Sequence, residues 1–233
     1  MPNYLESLEM LYGKDKVDIL RGSKIAVFGV GGVGSYVVEA LARSGVGQLD
    51  VFDNDTVAPS NLNRQLIATT QTLGMKKTDA AQQRVSLIAP DCKVVGHCMF
   101  YSPETADSVD LSQYDFVVDA VDHVPAKCEL AVRCEKLGVR LISSMGTGNK
   151  LHPEMLELAD IYKTSVCPLA RALRTQLKKR GVKKLMCVYS KELPRPPKLD
   201  SEGKRCPASN SFVPSAAGLI IASWVVNTLT NEI

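Results

Sequence analysis

The chain has 233 residues, 45% of them apolar, and a formal net charge of +3. That is enough for one ordinary domain with a large core, and the mild positive charge permits a nucleic-acid partner without requiring one. Seven scattered cysteines, odd in number and without any C-x-x-C, argue against a disulfide framework and a four-cysteine zinc site and read as a reduced, intracellular protein, with the cytoplasm as the expected location.

No basic segment followed by an apolar stretch opens the chain, so no secretory leader is expected. The most apolar stretch, residues 216–226, is shorter than the roughly twenty residues of a membrane span and reads as a buried helix. Residues 4–20 predict two short helices separated by Gly13. The apolar run Ile25–Phe28 predicts a buried parallel strand, followed at once by Gly29, Gly31, Gly32, Gly34 and Ser35, and then by a helical pattern. A second strand runs over residues 49–52 and ends at Asp53. The polar stretch 54–65 is a loop, residues 75–89 a helix stopping before Pro90, and 93–98 a strand. A short helix is expected near 103–110, a buried strand at 116–118, a helix over 123–137 ended by Gly138, and a strand at 139–143. The alternation of strand and helix predicts an α/β fold, a Rossmann-like, doubly wound, mostly parallel sheet.

The last ninety or so residues break the rhythm. Residues 155–162 alternate apolar and polar, Pro168 opens a helix reaching about Arg180, and 184–190 is a strand. Residues 191–213, with Pro194, Pro196, Pro197 and Pro207, form a long loop, and 214–230 a final helix. The expectation is a single domain: a nucleotide-binding core over 1–150, with extra mixed strands, a basic helix, a Pro-rich loop and a buried helix over 151–233.

Strand, glycine turn and helix make a phosphate-binding arrangement, because glycines admit the close approach of phosphate and the helix N-terminus offers free N–H groups. Asp53, about twenty residues on, is placed to hold ribose hydroxyls. NAD, FAD and ATP sites all begin this way. Arg64, Lys77 and Asp122 turn the reading toward ATP: two cations neutralise a triphosphate and a carboxylate holds Mg²⁺, a set that hydride transfer does not need.

The ordered set Gly29-x-Gly31-Gly32-x-Gly34-Ser35, Asp53-x-Asp55, Ser60-Asn61-Leu62-Asn63-Arg64-Gln65, Gly74-x-x-Lys77 and Asp119-Ala120-x-Asp122 resembles the ThiF/MoeB/HesA group of E1-like enzymes, which adenylate a carboxylate with ATP·Mg²⁺. The resemblance implies that the glycines, Ser35, Asp53, Asp55, Asn61, Arg64, Gln65, Lys77 and Asp122 bind ATP, that Asp122 binds Mg²⁺, and that Arg64, Lys77 and Asp122 serve catalysis. Further on, Ala159-Asp160-Ile161-x-Lys163-Thr164, Pro168-Leu169-Ala170-x-x-Leu173-Arg174, Cys187-Val188-Tyr189-Ser190-x-Glu192 and Pro214-x-x-x-Gly218 are similar to the tRNA threonylcarbamoyladenosine dehydratase branch. That branch implies ATP-dependent dehydration of N6-threonylcarbamoyladenosine at position 37 of tRNA. The threonyl carboxylate attacks the α-phosphate, and the neighbouring carbamoyl group then closes a ring and expels AMP. No protein nucleophile is needed, because the second nucleophile is tethered within the substrate.

The alternative is adenylation of the C-terminus of a ubiquitin-like sulfur-carrier protein, with a carrier or sulfur-transfer partner and a thiol intermediate; the missing C-x-x-C pairs speak against it. A third reading, an NAD-dependent oxidoreductase or a non-catalytic nucleotide-binding module, is disfavoured by the phosphate-clamp residues. Cys187, between Met186 and Val188, reads as a small core residue rather than a nucleophile, while Cys206 in the Pro-rich loop is expected to be exposed. Arg171, Arg174 and Lys178 share a helix face opposite Leu169, Leu173 and Leu177; with Lys179, Arg180, Lys183, Lys184, Arg195, Lys198, Lys204 and Arg205 they are a candidate tRNA-binding surface. The resemblance also implies a homodimer whose N-terminal arginine reaches the partner's ATP site. No arginine precedes Arg21, which leaves open both the trans-acting residue and its identity, with Lys14 or Lys16 as candidate substitutes.

Overall fold

A computed structural model of the protein describes residues 3–199, 203 and 205–233. Two short helices, α1 (Glu6–Tyr12) and α2 (Lys14–Gly22), precede β1 (Lys24–Phe28), whose residues 25–28 are fully buried. There follow α3 (Gly34–Arg43), β2 (Gln48–Phe52), α4 (Lys77–Ser86), β3 (Lys93–His97), β4 (Phe116–Asp119), α5 (Val124–Leu137) and β5 (Leu141–Ser144). The second half adds β6 (Leu156–Asp160), α6 (Pro168–Lys179), β7 (Met186–Ser190), the short pair β8 (Lys198–Leu199) and β9 (Arg205–Cys206), and α7 (Val213–Leu229).

The main sheet has seven strands in the order β3-β2-β1-β4-β5-β7-β6. All pairs are parallel except β6 with β7. Both faces are covered, as an all-but-parallel sheet requires. Ile25 and Val27 of β1 face a core shared with α3, α4 and α7, while Ala26 and Phe28 face α5. A third core joins α5 and α6 to Cys187 and Tyr189 of β7. Strand order reverses at β1, between β2 and β4, and a doubly wound sheet opens its ligand crevice beyond the strand ends at such a point.

Two glycines make that crevice narrow at its floor. A Cβ on Gly34 would sit 1.8 Å from the Gly29 carbonyl oxygen, so only glycine lets α3 start this close to β1. Gly29 has φ 86°, and a Cβ there would meet the Ala120 oxygen at 2.8 Å.

Three elements differ from the expectations. The segment near 103–110 is not one helix but two single 3-10 turns, Ala106–Ser108 and Leu111–Gln113, because Asp110 caps Ser112 and interrupts a stretch already too short to nucleate an α-helix. The helix expected over 75–89 begins only at Lys77, since Thr56 and Lys76 form an isolated β-bridge. The Pro-rich stretch contains the β8–β9 pair.

Candidate active site

The sheet's C-terminal edge holds a cavity of about 780 Å³, in the upper part of the usual range for small-molecule sites. Gly29, Gly31, Gly32, Asp53, Asp55, Asn61, Arg64, Gln65, Lys77 and Asp122 all line it. Residues far apart in sequence thus converge because β1, β2 and β4 are adjacent and parallel.

Asp53 follows β2, and its Oδ2 accepts the backbone N–H of Val30 in the glycine turn at 2.7 Å, while Oδ1 accepts that of Asp55 at 2.9 Å. Lys77, 5% exposed at the start of α4, donates to Asp55 Oδ2 at 2.6 Å and lies 3.7 Å from Asp53 Oδ1. The Asn61 Oδ1 accepts from Ala58 N at 3.0 Å, and its carbonyl receives the N–H groups of Arg64 and Gln65, so Asn61 shapes the loop that presents both. Arg64 donates to the Ser60 carbonyl at 2.7 Å and to Asn63 Oδ1 at 2.9 Å. Gly32 sits against Pro214 at the start of α7 and against Arg64; a Cβ would lie 3.2 and 3.5 Å from them.

Gly34 and Ser35 are not part of the cavity wall. Gly34 serves the close approach to Gly29, and the buried Ser35 hydroxyl accepts the N–H of Leu66 at 3.1 Å, tying the Arg64 loop to α3. Both were expected to bind the nucleotide; neither side chain lines the cavity, and each has a packing role at the turn.

Arg174 is half-buried and donates to Thr164, at 3.0 Å to the carbonyl and also to the hydroxyl. It therefore leaves the expected basic face, on which Arg171 and Lys178 remain exposed. Leu169 is half-buried and lines the cavity, and Ala170 takes its place in the α6 core with Leu173 and Leu177. Lys204 and the side chains of Arg205 and Cys206 lie outside the described residues. Lys14 pairs with Asp18 at 2.6 Å and Lys16 with Glu232, so both are engaged within the chain. Cys187 is fully buried, its thiol 3.3 Å from the Ala159 oxygen and pushed up to about 12 by burial, which removes the thiolate a nucleophile requires.

Three buried polar atoms along the cavity-lining residues have no partner among the described residues: Gln65 Oε1, Tyr101 Oη and His123 Nδ1. Buried polar atoms are rarely left unsatisfied. Together with side-chain-free glycines and two cations at one end, they fit a nucleotide.

The profile of the ThiF family matches residues 4–232. The chain belongs to the ThiF family. A tRNA threonylcarbamoyladenosine dehydratase of Bacillus subtilis is 41% identical over 238 residues, covering 97% of this chain and 94% of its own. The crystal structure of the Escherichia coli tRNA N6-threonylcarbamoyladenosine dehydratase TcdA in complex with AMP superposes with a TM-score of 0.90 at 30% identity, covering 97% of this chain and 93% of that one, and the complex with ATP does so at 0.87. An adenylyltransferase and sulfurtransferase of Candida albicans is 34% identical, but over 54% of this chain and 29% of its own length.

Within the ThiF fold, the sequence reading missed the support beneath the site. Lys127 on α5, fully buried, donates to both oxygens of Asp119 at 3.0 Å, to Ser143 Oγ at 3.2 Å and to the Ser144 carbonyl at 2.7 Å. The Ser143 hydroxyl donates to Asp119 Oδ2 at 2.5 Å. This cluster joins the ends of β4 and β5, from which the Asp122 loop and the Met145–Gly148 wall begin. The signal was a lysine in the apolar run of a helix, a position that demands a buried carboxylate. Lys150 and the Pro-rich loop also enter the cavity wall, which chain order alone did not indicate. Burial lowers the Lys150 ammonium below the ordinary lysine value, with Cys167 and Glu192 opposing.

Proposed function

We propose that this chain is an ATP-dependent tRNA threonylcarbamoyladenosine dehydratase. The observation that carries the reading is likeness through the second half as well as the first. The Bacillus subtilis dehydratase matches essentially end to end, whereas the sulfur-carrier type of enzyme matches only about half of the chain. The buried, unreactive Cys187 agrees, since carrier chemistry by thiol relay has no thiolate at that position.

ATP, as the second substrate, supplies the leaving group that makes a carboxylate electrophilic. The glycine turn lets its phosphates approach the backbone. Arg64 and Lys77 neutralise phosphate charge and hold the nucleotide for in-line attack. Asp53 fixes the glycine turn through Val30 and offers an oxygen to ribose. Asn61 orients the loop that presents Arg64 and Gln65, and the Gln65 Oε1, unpartnered among the described residues, is proposed to meet the nucleotide. Asp122, exposed at the cavity, is the proposed Mg²⁺ ligand; a single carboxylate beside phosphates suits Mg²⁺, which seldom uses an all-protein cage. Because the carbamoyl group sits beside the activated carbonyl in the same substrate, the chain's task is positioning and charge neutralisation. Arg171 and Lys178 are proposed to meet tRNA phosphates, the working form is proposed to be a cytoplasmic homodimer, and residues 1–233 are proposed to act as one catalytic domain.

The test is mass spectrometry of the modified adenosine after threonylcarbamoylated tRNA is incubated with the chain, ATP and Mg²⁺. Loss of one water with AMP release is expected, with at least a hundredfold reduction in Asp122→Ala. An unchanged mass, with pyrophosphate exchange appearing only when a Gly-Gly-tailed carrier is added, would replace this reading with carrier adenylation.

A further inference from the structure

Three lysines among the described residues are buried: Lys77, Lys127 and Lys150, at 5%, 0% and 3% exposure. Lys77 is paired with Asp55, and Lys127 with Asp119. Lys150 has no ion pair among the described residues. Its ammonium donates to the Gly146 carbonyl at 2.5 Å, a neutral acceptor that uses one of three N–H groups. The nearby Glu192 carboxylate is spent on backbone donors, accepting Leu151 N at 2.9 and 3.0 Å and His152 N at 2.9 Å.

The position is also rigidly held. Asn149 has φ 60°, a left-handed conformation uncommon for a side-chain-bearing residue. Its backbone bonds Ala208 at 2.7 Å and Arg195 at 2.8 Å, its side chain accepts Ala208 N at 2.8 Å, and the Lys150 carbonyl accepts Asn210 Nδ2 at 2.9 Å. Glu192 acts on Lys150 only without direct contact, its oxygens being held by backbone donors, so the buried cation is incompletely compensated, and an anion entering the cavity that Lys150 lines would offset the cost of its burial. The nucleotide's phosphates have Arg64 and Lys77 in the half of the cavity built by the glycine turn, β2 and α4. Lys150 belongs to the wall built by the second half of the chain.

We propose that Lys150 binds the carboxylate of the threonylcarbamoyl group, fixing the substrate's reacting end while the glycine-turn side holds ATP. This rests on the dehydratase reading and adds the residue that recognises the modified base. It predicts that the chain distinguishes threonylcarbamoylated from unmodified anticodon stem-loops by that carboxylate.

The experiment compares wild type with Lys150→Gln and Lys150→Met, full length. It measures the affinity of each for ATP, for the threonylcarbamoylated stem-loop and for the unmodified one, together with thermal stability. Wild type is expected to prefer the modified stem-loop about tenfold. Both variants should lose that preference, keep their affinity for ATP and for the unmodified stem-loop within twofold, and dehydrate tRNA at least thirtyfold more slowly. Their Tm should rise by a few degrees, since an unpaired buried charge is removed; a lysine kept for structure would give the opposite shift. If either folded variant keeps the preference, or if ATP affinity falls instead, the carboxylate role is overturned and the dehydratase reading stands. If wild type leaves threonylcarbamoylated tRNA unchanged, the dehydratase reading fails and takes this role with it.

Discussion

Asp119 and Lys127 show how a buried ion pair can serve a site without touching a substrate. Their network joins β4 to β5 below the cavity, with Ser143 completing it. Lys127→Met leaves Asp119 as an uncompensated buried carboxylate and is expected to cost about 3–5 kcal/mol in urea denaturation. Adding Asp119→Asn should return most of that loss, because the penalty lies in the unpaired charge. Glu39 is a second case. Burial raises its carboxyl value, but hydrogen bonds from Arg84, at 2.8 and 2.9 Å, and from Arg43, at 2.8 Å, outweigh burial, and the group ends below the ordinary glutamate value. A depressed folded value gives stability that is fully present well above the unfolded value of about 4.3 and is lost as pH falls through the folded one. Glu39→Gln should therefore be less stable than wild type by about 1 kcal/mol at pH 7, with the gap closing toward pH 3. Denaturant titrations at the two pH values check this.

At the scale of elements, the cavity depends on how closely helices approach the glycine turn. The α7 helix crosses α3 at Gly218, where a Cβ would lie 2.5 Å from the Val33 carbonyl oxygen and 2.9 Å from Tyr36 Cβ. The same helix begins with Pro214 against Gly32, so a shift of α7 reaches the proposed phosphate site directly. Gly218→Ala is expected to cost about 1–3 kcal/mol by overpacking. It should also weaken ATP affinity, although no nucleotide contact is proposed for Gly218. Calorimetry of ATP binding beside a melting curve separates the two effects. The α6 helix gives the complementary lesson. Its apolar stripe was readable from spacing, but Arg174 was not separable from Arg171 and Lys178 by sequence position. Thr164, on the preceding turn, takes Arg174 out of the charged face.

For the whole molecule, a net charge of +3 is too small to hold a polyanion by itself, so the proposed tRNA binding would rest on local clusters. If Arg171 and Lys178 each neutralise one phosphate, the double variant Arg171→Gln/Lys178→Gln should weaken tRNA binding about equally across sequences. It should also reduce the slope of log affinity against log salt by about two. Arg174→Gln should leave the slope unchanged and lower stability instead, since its partner is within the chain. Filter binding across a salt series reads both.

Much of this molecule was legible in order along the chain. The apolar runs became β1, β2, β4 and β5, the glycines became the turn, and Gly138 became the left-handed end of α5 at φ 69°. Such local signals suffice because strand burial, glycine φ and helix termination are decided by a few neighbouring residues. The residues from Gly29 to Asp122 meet at one edge because parallel strands deliver their C-terminal loops there whatever lies between them, and their resemblance to the ThiF/MoeB/HesA group is what pointed to an adenylating site. The tertiary structure decided what each polar side chain does once there. Ser35 turned inward to Leu66, Arg174 was consumed by Thr164, Lys127 was neutralised by Asp119, and Lys150 was left buried with a single neutral acceptor. Those outcomes depend on which segment packs across from each residue, a relation between positions tens of residues apart that one-dimensional spacing does not contain.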